Sequence, residues 1–275
     1  MTHANPQTAG PTTVGRVFLR LVFDGWRGMF GWIIGIAAVL GLYLPLYPSI
    51  ASDQMTELIN NLPTELVEVL GYEDVVTGAG YTQATFFGLL GYVLIAIAAT
   101  AWGAAFIAGT EETGRLELTL AHAVGRVQYA TESLAALLAK LLMLALVVYL
   151  MIWALNDPSE LDLSAANLLA VTIAWASLGL LSGTAALAVG ALSGRRLWAI
   201  AAGAGVAVLG YLFDAVGSTN DDLQWLYDLS PYHWAYGNSP LAQGFDWAGL
   251  ALLWGLCAVF IALTIYGLAR RDILG

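Results

Sequence analysis

The sequence predicts an all-α polytopic membrane protein with six transmembrane helices. Hydrophobic residues make up 59% of its 275 positions, charged residues only 11%, and its mean hydropathy is +0.73. Soluble domains carry about one charged residue in four, so this chain has too few charges to cover a surface that faces water. A helix needs about 20 mostly apolar residues to cross the hydrocarbon core, and irregular backbone cannot face lipid. The stretches that qualify are 29–47, 84–107, 134–155, 165–192, 197–216 and 247–269.

The basic residues set the predicted orientation of these spans. With six spans, all of them fall on one side of the membrane: Arg16, Arg20, Arg27, Arg115, Arg126, Lys140, Arg195, Arg196, Arg270 and Arg271. The positive-inside rule makes that side cytoplasmic, so the protein is predicted to lie in the plasma membrane with both termini in the cytoplasm. Residues 1–13 are polar and lack the pattern of a signal peptide. We expect them to form a disordered cytoplasmic tail before a single transmembrane domain, residues 14–275.

Residues 14–27, just before the first span, are predicted to form an amphipathic helix on the inner leaflet. Val17, Phe18 and Leu21 give it an apolar face. The residues expected to lie at the lipid headgroups are Arg16, Arg20, Trp26 and Arg27. Such a helix lies in the membrane surface with its apolar face toward the acyl chains.

Two connections on the opposite side of the membrane also carry predicted structure. Pro63 at a helix start and Gly71 just past a helix end indicate a short helix at residues 64–70. Residues 217–246 are rich in tryptophan and tyrosine, which is typical of an aromatic belt at the membrane interface.

The connection between the second and third spans, residues 109–126, is predicted to contain a second amphipathic helix. Thr110 can cap it, and Glu111 and Glu112 place negative charge at the positive end of the helix. Its apolar residues share one face, at Leu116, Leu120, Ala123, Val124 and Val127. Such a helix either lies on the membrane surface or fills a groove on a partner, and the pattern alone does not separate the two.

Several classes of function are disfavoured by what the sequence lacks. Its single lysine, Lys140, follows an alanine, so the chain has no GxxxxGK phosphate loop. No histidine lies in a span, so Ser182 and Ser193 lack the base that an intramembrane peptidase needs. Lys140 and Asp214 lie near span ends, where we interpret them as structural anchors rather than as an ion path. Neither a metal ion nor a nucleic acid is an expected partner.

Motifs between residue 14 and the C-terminus follow the order seen in one family. After the second span the matching residues are Glu111, Glu112, Thr113, Gly114, Leu116, Glu117, Leu118, Leu120, Val124 and Arg126. Before the sixth span they are Leu229, Ser230, Pro231, Tyr232, His233 and Trp234, and the dipeptide Arg270-Arg271 with Asp272 follows that span. The chain thereby resembles the six-helix permeases of type-2 ATP-binding-cassette (ABC) exporters, particularly the actinobacterial polyketide-antibiotic branch. It departs from their pattern at Arg115, where threonine is usual, and at Ala123, where proline is usual.

The resemblance implies a coupling helix that is seated in a groove of a cytoplasmic ATPase. The residues implied in this contact are Glu111, Glu112, Gly114, Leu116, Glu117, Leu120, Val124 and Arg126. Their apolar stripe is expected to fill the groove, and the charges are expected to orient the partner from a solvated rim. The outer-mouth motif implied by the resemblance is Ser230, Pro231, Tyr232 and Trp234.

The implied function is that of the permease subunit of a multidrug or antibiotic exporter. Two ABC ATPase subunits would bind ATP and magnesium, this chain would hold no cofactor, and a second permease, either a copy or a paralogue, would complete the complex. Because the spans bury almost no charge, the expected substrate is hydrophobic or amphipathic, such as an antibiotic, a drug or a lipid-like compound. Two alternatives stay open: a membrane scaffold or ATPase-linked assembly factor, and an intramembrane enzyme.

Overall fold

A computed structural model describes residues 15–51, 77–121, 124–219 and 221–271. The long apolar helices in this part of the chain are α2 (Trp26–Ile50), α3 (Gly78–Glu112), α5 (Arg126–Asn156), α6 (Ala165–Ser193), α7 (Arg196–Gly217) and α11 (Trp247–Arg270). The short helices are α1 (Arg16–Phe23), α4 (Arg115–Ala121), α8 (Gln224–Asp228), α9 (Pro231–Tyr236) and α10 (Pro240–Gln243). Every predicted span lies within one long helix, and the all-α fold with six candidate spans is confirmed. The predicted tail at 1–13, the predicted helix at 64–70, Ala123 and Asp272 lie outside the described residues.

Side chains at the helix ends explain where several of the helices begin and end. The Ser164 hydroxyl accepts a 3.1 Å hydrogen bond from the backbone N–H of Asn167 at the start of α6. The Asp246 carboxylate accepts one of 3.0 Å from the backbone N–H of Ala248 at the start of α11. Both side chains satisfy donors that have no partner inside the helix. Gly194, with φ of +68°, ends α6 in a conformation that disfavours other residues.

Helix α6 forms the centre of the bundle. Within its most apolar window, 78% of the residues are buried inside the protein, against 22% for α2 and for α7. Its neighbours approach closely because small residues meet at the contacts. A Cβ atom added to Gly103 of α3 would collide with the carbonyl oxygen of Gly183 in α6. Helices α3, α5, α7 and α11 therefore surround α6, whereas α2 packs mainly against α5.

The two ends of the bundle differ in chemistry. At one end, which we call the basic end, Glu111, Arg126, Arg196 and Arg271 come together. At the other, the aromatic end, the rings of Tyr92, Tyr211, Tyr232 and Tyr236 make contact. The contacts at the basic end join the C-terminal end of α3 to the N-terminal end of α7 directly, and to the N-terminal end of α5 through Arg271. The long helices therefore alternate in direction, as successive membrane spans do.

The helix before the first span is shorter than predicted. Helix α1 ends at Phe23, and Gly25 separates it from α2. Trp26 and Arg27, which were predicted to belong to the interfacial helix, instead form the first turn of α2, with the Arg27 guanidinium 5.7 Å from the centre of the Trp26 ring. The prediction was wrong at these two positions because the amphipathic pattern runs on through a glycine that the backbone uses as a break.

Candidate translocation and coupling sites

An apolar groove of about 380 Å³ runs between α3 and α7. Its walls are aliphatic and aromatic, and they include Leu89, Val93, Ile97, Ile200, Val208 and Leu212. Among the described residues that line it, only Arg196, at the basic end of α7, is charged. Ligand pockets in proteins are usually several hundred Å³ in volume and mostly apolar, with a few polar groups that orient the ligand. This groove can therefore hold a hydrophobic or amphipathic molecule of modest size.

Tyrosines lie at the aromatic end of this groove. Tyr92 and Tyr211 line it, and the ring of Tyr232 lies 5.2 Å and 5.4 Å from theirs, edge to face. The Tyr232 hydroxyl donates a 2.7 Å hydrogen bond to the backbone carbonyl of Gly88 in α3. Burial raises the pKa of Tyr232, so this hydroxyl keeps its proton and remains a donor. Tyr92 donates likewise to the carbonyl of Ala207 in α7, at 2.7 Å.

The predicted outer-mouth motif is what holds Tyr232 in this place. Ser230 is fully buried, and its hydroxyl donates a 2.7 Å hydrogen bond to the carbonyl of Gly210 in α7. The same oxygen caps α9 by accepting from the backbone N–H of His233 at 3.1 Å, and Pro231 occupies the first helical position. Trp234 Nε1 donates to the carbonyl of Asp228 at 2.7 Å. The motif thus fixes α9 across the ends of α3 and α7.

The predicted coupling segment divides into two parts in the structure. Glu111 and Glu112 are the last residues of α3, Gly114 has φ of +66°, and a separate helix α4 follows. Thr110 does not cap a helix, because its hydroxyl donates to the carbonyl of Phe106, four residues earlier in α3, at 2.9 Å. The predicted single helix was wrong here, since charge and periodicity do not reveal a break at a glycine.

The apolar stripe of α4 packs against this chain rather than facing outward. Leu116 is 0% exposed and belongs to the hydrophobic core, and Leu120 and Val124 are half-buried against that core. Leu116 is therefore not available to fill a groove on a partner, contrary to the expectation from the resemblance. Helical periodicity identifies the residues that share a face, but both the bundle and a partner can cover such a face.

The part of α4 that remains accessible lies between two depressions. Leu118 is 65% exposed. One depression, of about 400 Å³, lies between α4 and α1 and is lined by Leu118, Val124 and the basic residues Arg16, Arg20 and Arg115, among others. The second, of about 450 Å³, is lined by Glu117, Leu120, Val124, Gly125 and Arg126. Four residues predicted for the coupling contact therefore line these depressions, namely Glu117, Leu120, Val124 and Arg126.

The acidic pair contacts this chain's own residues at the basic end. Glu111 forms an ion pair with Arg271, and Glu112 accepts a 2.7 Å hydrogen bond from the backbone N–H of Arg196 at the start of α7. Arg126 donates to the backbone carbonyl of Arg271 at 2.7 Å. The expectation that these charges form a solvated rim for a partner was wrong for Glu111, whose side chain is only 14% exposed.

Glu132 is a functional candidate that sequence reasoning missed. Its carboxylate accepts hydrogen bonds from the backbone N–H groups of Gly15 and Phe18, at 3.0 and 2.8 Å, and from Gln128 Nε2 at 2.8 Å. A carboxylate is favoured at the positive N-terminal end of a helix, so Glu132 holds α1 against α5. The signal available in the sequence was an acidic residue at the edge of a long apolar stretch. The structure adds that its side chain is only 8% exposed.

Lys140, interpreted from the sequence as an anchor, points toward the basic end. Its ammonium nitrogen lies 5.3 Å from the centre of the Trp102 ring and 5.8 Å from that of Phe106. A Cβ atom on Gly25, just before α2, would lie 3.2 Å from the same nitrogen. The long stem of the lysine thus carries its charge from the middle of α5 to the level at which the first span begins.

Most of the chain matches one known protein family. Residues 25–269 match the family model described as the C-terminal domain of the multidrug efflux system permease Rv1217c. The chain belongs to this family. A comparison with individually curated proteins returned no match. The match covers all six long helices almost completely, so the efflux permease family and the multi-pass membrane fold describe the same part of the chain.

Proposed function

We propose that this efflux permease is the membrane-spanning subunit of an ABC exporter and moves hydrophobic or amphipathic compounds out of the cell. The observation that carries the proposal is the apolar groove between α3 and α7, in a chain whose family is one of multidrug efflux permeases. A groove with one arginine at one end and tyrosines at the other suits compounds that are mostly apolar with a polar group. Antibiotics, drugs and lipid-like molecules have this character.

The proposed orientation places the basic end in the cytoplasm. All ten lysine and arginine residues belong to segments that a six-span arrangement puts on that side, as the positive-inside rule requires. The groove then has its charged end near the inner leaflet and its tyrosine end near the outer leaflet. Tyr232 and the motif around it act as an outer gate, because they bridge the two helices that form the groove.

The proposed source of energy is a separate cytoplasmic ATPase that binds ATP and magnesium. This chain contains no GxxxxGK loop, so the nucleotide site belongs to the partner. The docking surface that we propose is the exposed edge of α4 around Leu118, together with the depression bounded by Arg16, Arg20 and Arg115. Asp24 also lines this depression and pairs with Arg20, so the charge left by Arg16 and Arg115 is positive and favours acidic residues on the ATPase. Two ATPases and a second permease subunit would complete the transporter.

The proposal is tested in the complete transporter by a substitution that fills the groove with a larger side chain. Ala204 lines the groove, and we expect Ala204→Phe to reduce ATP-driven export of an amphipathic fluorescent dye from proteoliposomes at least about fivefold, because steric exclusion removes the space for substrate. Ala201→Phe is the matched control, since Ala201 is exposed on the same helix but is not part of the groove lining. Both variants should still co-purify with the ATPase.

Three results would contradict the proposal. If the chain purified from its native membrane carries no ATPase, it is not an ABC subunit. An ATPase complex that moves no dye or lipid would favour the scaffold or assembly function. Equal export by the Ala204→Phe and Ala201→Phe variants would mean that the substrate takes another path.

A further inference from the structure

Helix α4 is connected to its neighbouring spans through glycines. Gly114, at φ of +66°, separates it from α3, and Gly125, in an extended conformation, precedes α5. Helical hydrogen bonding is interrupted at both positions, so the direction of α4 is not fixed by continuity with either span. The relation between α4 and the long helices must therefore be set by contacts between side chains.

Arg271, which directly follows α11, contacts both flanks of α4. Its guanidinium group forms an ion pair with Glu111 at the end of α3. Its backbone carbonyl accepts a 2.7 Å hydrogen bond from Nη1 of Arg126, the first residue of α5. The side chains of Arg271 and Glu111 are 21% and 14% exposed, so water screens this pair less than it screens a surface ion pair. One residue thus joins the ends of three long helices.

The space for this ion pair is created by Gly194 at the end of α6. A Cβ atom at that position would collide with the guanidinium of Arg271 and with the carboxylate of Glu111. The glycine also has φ of +68°, which disfavours any other residue. A larger residue at this position would therefore displace the two side chains from the places they occupy in the pair.

We infer that Arg271 is a positioning residue for coupling, which makes the ends of α3, α5 and α11 move together when α4 is displaced. The inference rests on the proposed function, because the displacement comes from the ATPase. Arg271 lies on the span side of Gly114 and Gly125, where it holds the last turn of α3 and the first residue of α5. A force that α4 exerts on either flank is therefore shared by α3, which forms one wall of the groove, by α5 and by α11, whereas without Arg271 each helix end moves separately. Arg271 thus links ATP hydrolysis to the substrate path without touching either ligand.

The experiment compares Arg271→Gln with Arg270→Gln in the purified complex of the chain with its ATPase. Arg271→Gln removes the ion pair but keeps the backbone carbonyl that Arg126 binds. We expect dye exported per ATP hydrolysed to fall about fivefold or more, within the usual range of coupling between distant sites. ATP hydrolysis and co-purification of the ATPase should persist, since the exposed edge of α4 is unchanged. Arg270→Gln, in which the replaced side chain is exposed beside Tyr266, should keep the wild-type ratio.

Two further variants test whether the pair itself is responsible. Exchanging the charges, with Glu111→Arg and Arg271→Glu in one chain, should restore a large part of the export ratio. Gly194→Ala, which displaces both partners, should reproduce the effect of Arg271→Gln. A wild-type ratio in the Arg271→Gln and Gly194→Ala variants would overturn the inference, and so would a loss of export in strict proportion to lost ATPase binding. Absence of ATP-driven export in the unmodified complex would instead refute the proposed function.

Discussion

The aromatic end and the basic end of this bundle hold the same helices together by different means. At the aromatic end, the hydroxyls of Tyr92, Ser230 and Tyr232 donate to backbone carbonyls of α3 and α7. At the basic end, the Glu112 carboxylate joins α3 to α7 by accepting from the backbone N–H of Arg196, and Glu111 and Glu132 join α3 to α11 and α1 to α5. The aromatic end thus relies on neutral hydrogen bonds among packed rings, whereas the contacts of the basic end depend on ionised carboxylates. The end that is proposed to receive the ATPase is therefore the end whose contacts respond to a change of charge.

The largest expected difference comes from one substitution made at both ends. Leu118→Asp puts a charge on the exposed edge of α4, where we propose that the ATPase docks. A charge in a buried apolar contact often costs about 3 kcal/mol, which is roughly a hundredfold in affinity. Leu229→Asp is the matched control, because Leu229 is 53% exposed near the aromatic end.

This first prediction is tested by co-purification of the ATPase with the permease and by measuring the binding of the ATPase to the immobilised permease. We expect Leu118→Asp to release the ATPase from an intact, inserted permease, and Leu229→Asp to retain it. If both variants bind the ATPase as the wild type does, the docking surface is elsewhere. If Leu229→Asp alone releases it, the assignment of the two ends is reversed.

A smaller effect is expected at Glu132, whose substitution tests the contact between α1 and α5 separately from the other contacts at the basic end. Glu132→Ala removes the acceptor of the backbone N–H groups of Gly15 and Phe18, and hydrogen bonds to a charged group contribute about 2 kcal/mol. Helix α1 should then detach from α5 more often. Limited trypsin digestion at Arg20 in detergent should become roughly thirtyfold faster, in proportion to the open population.

Gln128→Ala is the control for this second prediction. Gln128 donates a single hydrogen bond to Glu132, so its loss should accelerate cleavage by a smaller factor. Unchanged cleavage of Glu132→Ala would mean that α1 is held mainly by its apolar face.

The smallest of these effects is expected at the aromatic end. Ser230→Ala removes the cap of α9 and the hydrogen bond to Gly210, which together contribute about 1 kcal/mol or somewhat more. The thermal unfolding midpoint of the purified chain should fall. Ser218→Ala is the control, because the Ser218 hydroxyl is exposed at the end of α7. Equal midpoints for the two variants would show that ring packing alone holds α9 in place.

The spans were predictable because lipid imposes a length and a composition on each segment separately. All six were located from the sequence, and each predicted end lies within about two helical turns of the end in the structure. Ser230, by contrast, was predicted only as part of a motif, and its place at the start of a short helix comes from the structure.

What the sequence did not reveal depends on contacts between distant residues. Nothing near Glu111 indicates that its partner is Arg271, which lies 160 positions away. The stripe through Leu116 was correctly recognised as apolar, but periodicity does not state whether a partner or the bundle itself covers it. Glu132 carried no motif, and its role appears only when the backbone of α1 is placed against it. Local pattern thus predicts the elements, and long-range geometry decides what each side chain does.

The central position of α6 has a consequence for how the protein is made. This helix has the lowest mean hydropathy of the six, and its serines and threonines are shielded by the helices around it. Synthesis proceeds from α6 toward α7 and α11, so α6 enters the bilayer before two of its neighbours exist. During that interval its hydroxyls, which donate to carbonyls of the same helix, lie against lipid or the insertion machinery. In the described part of the chain, α6 gains its last long neighbour when α11 is inserted.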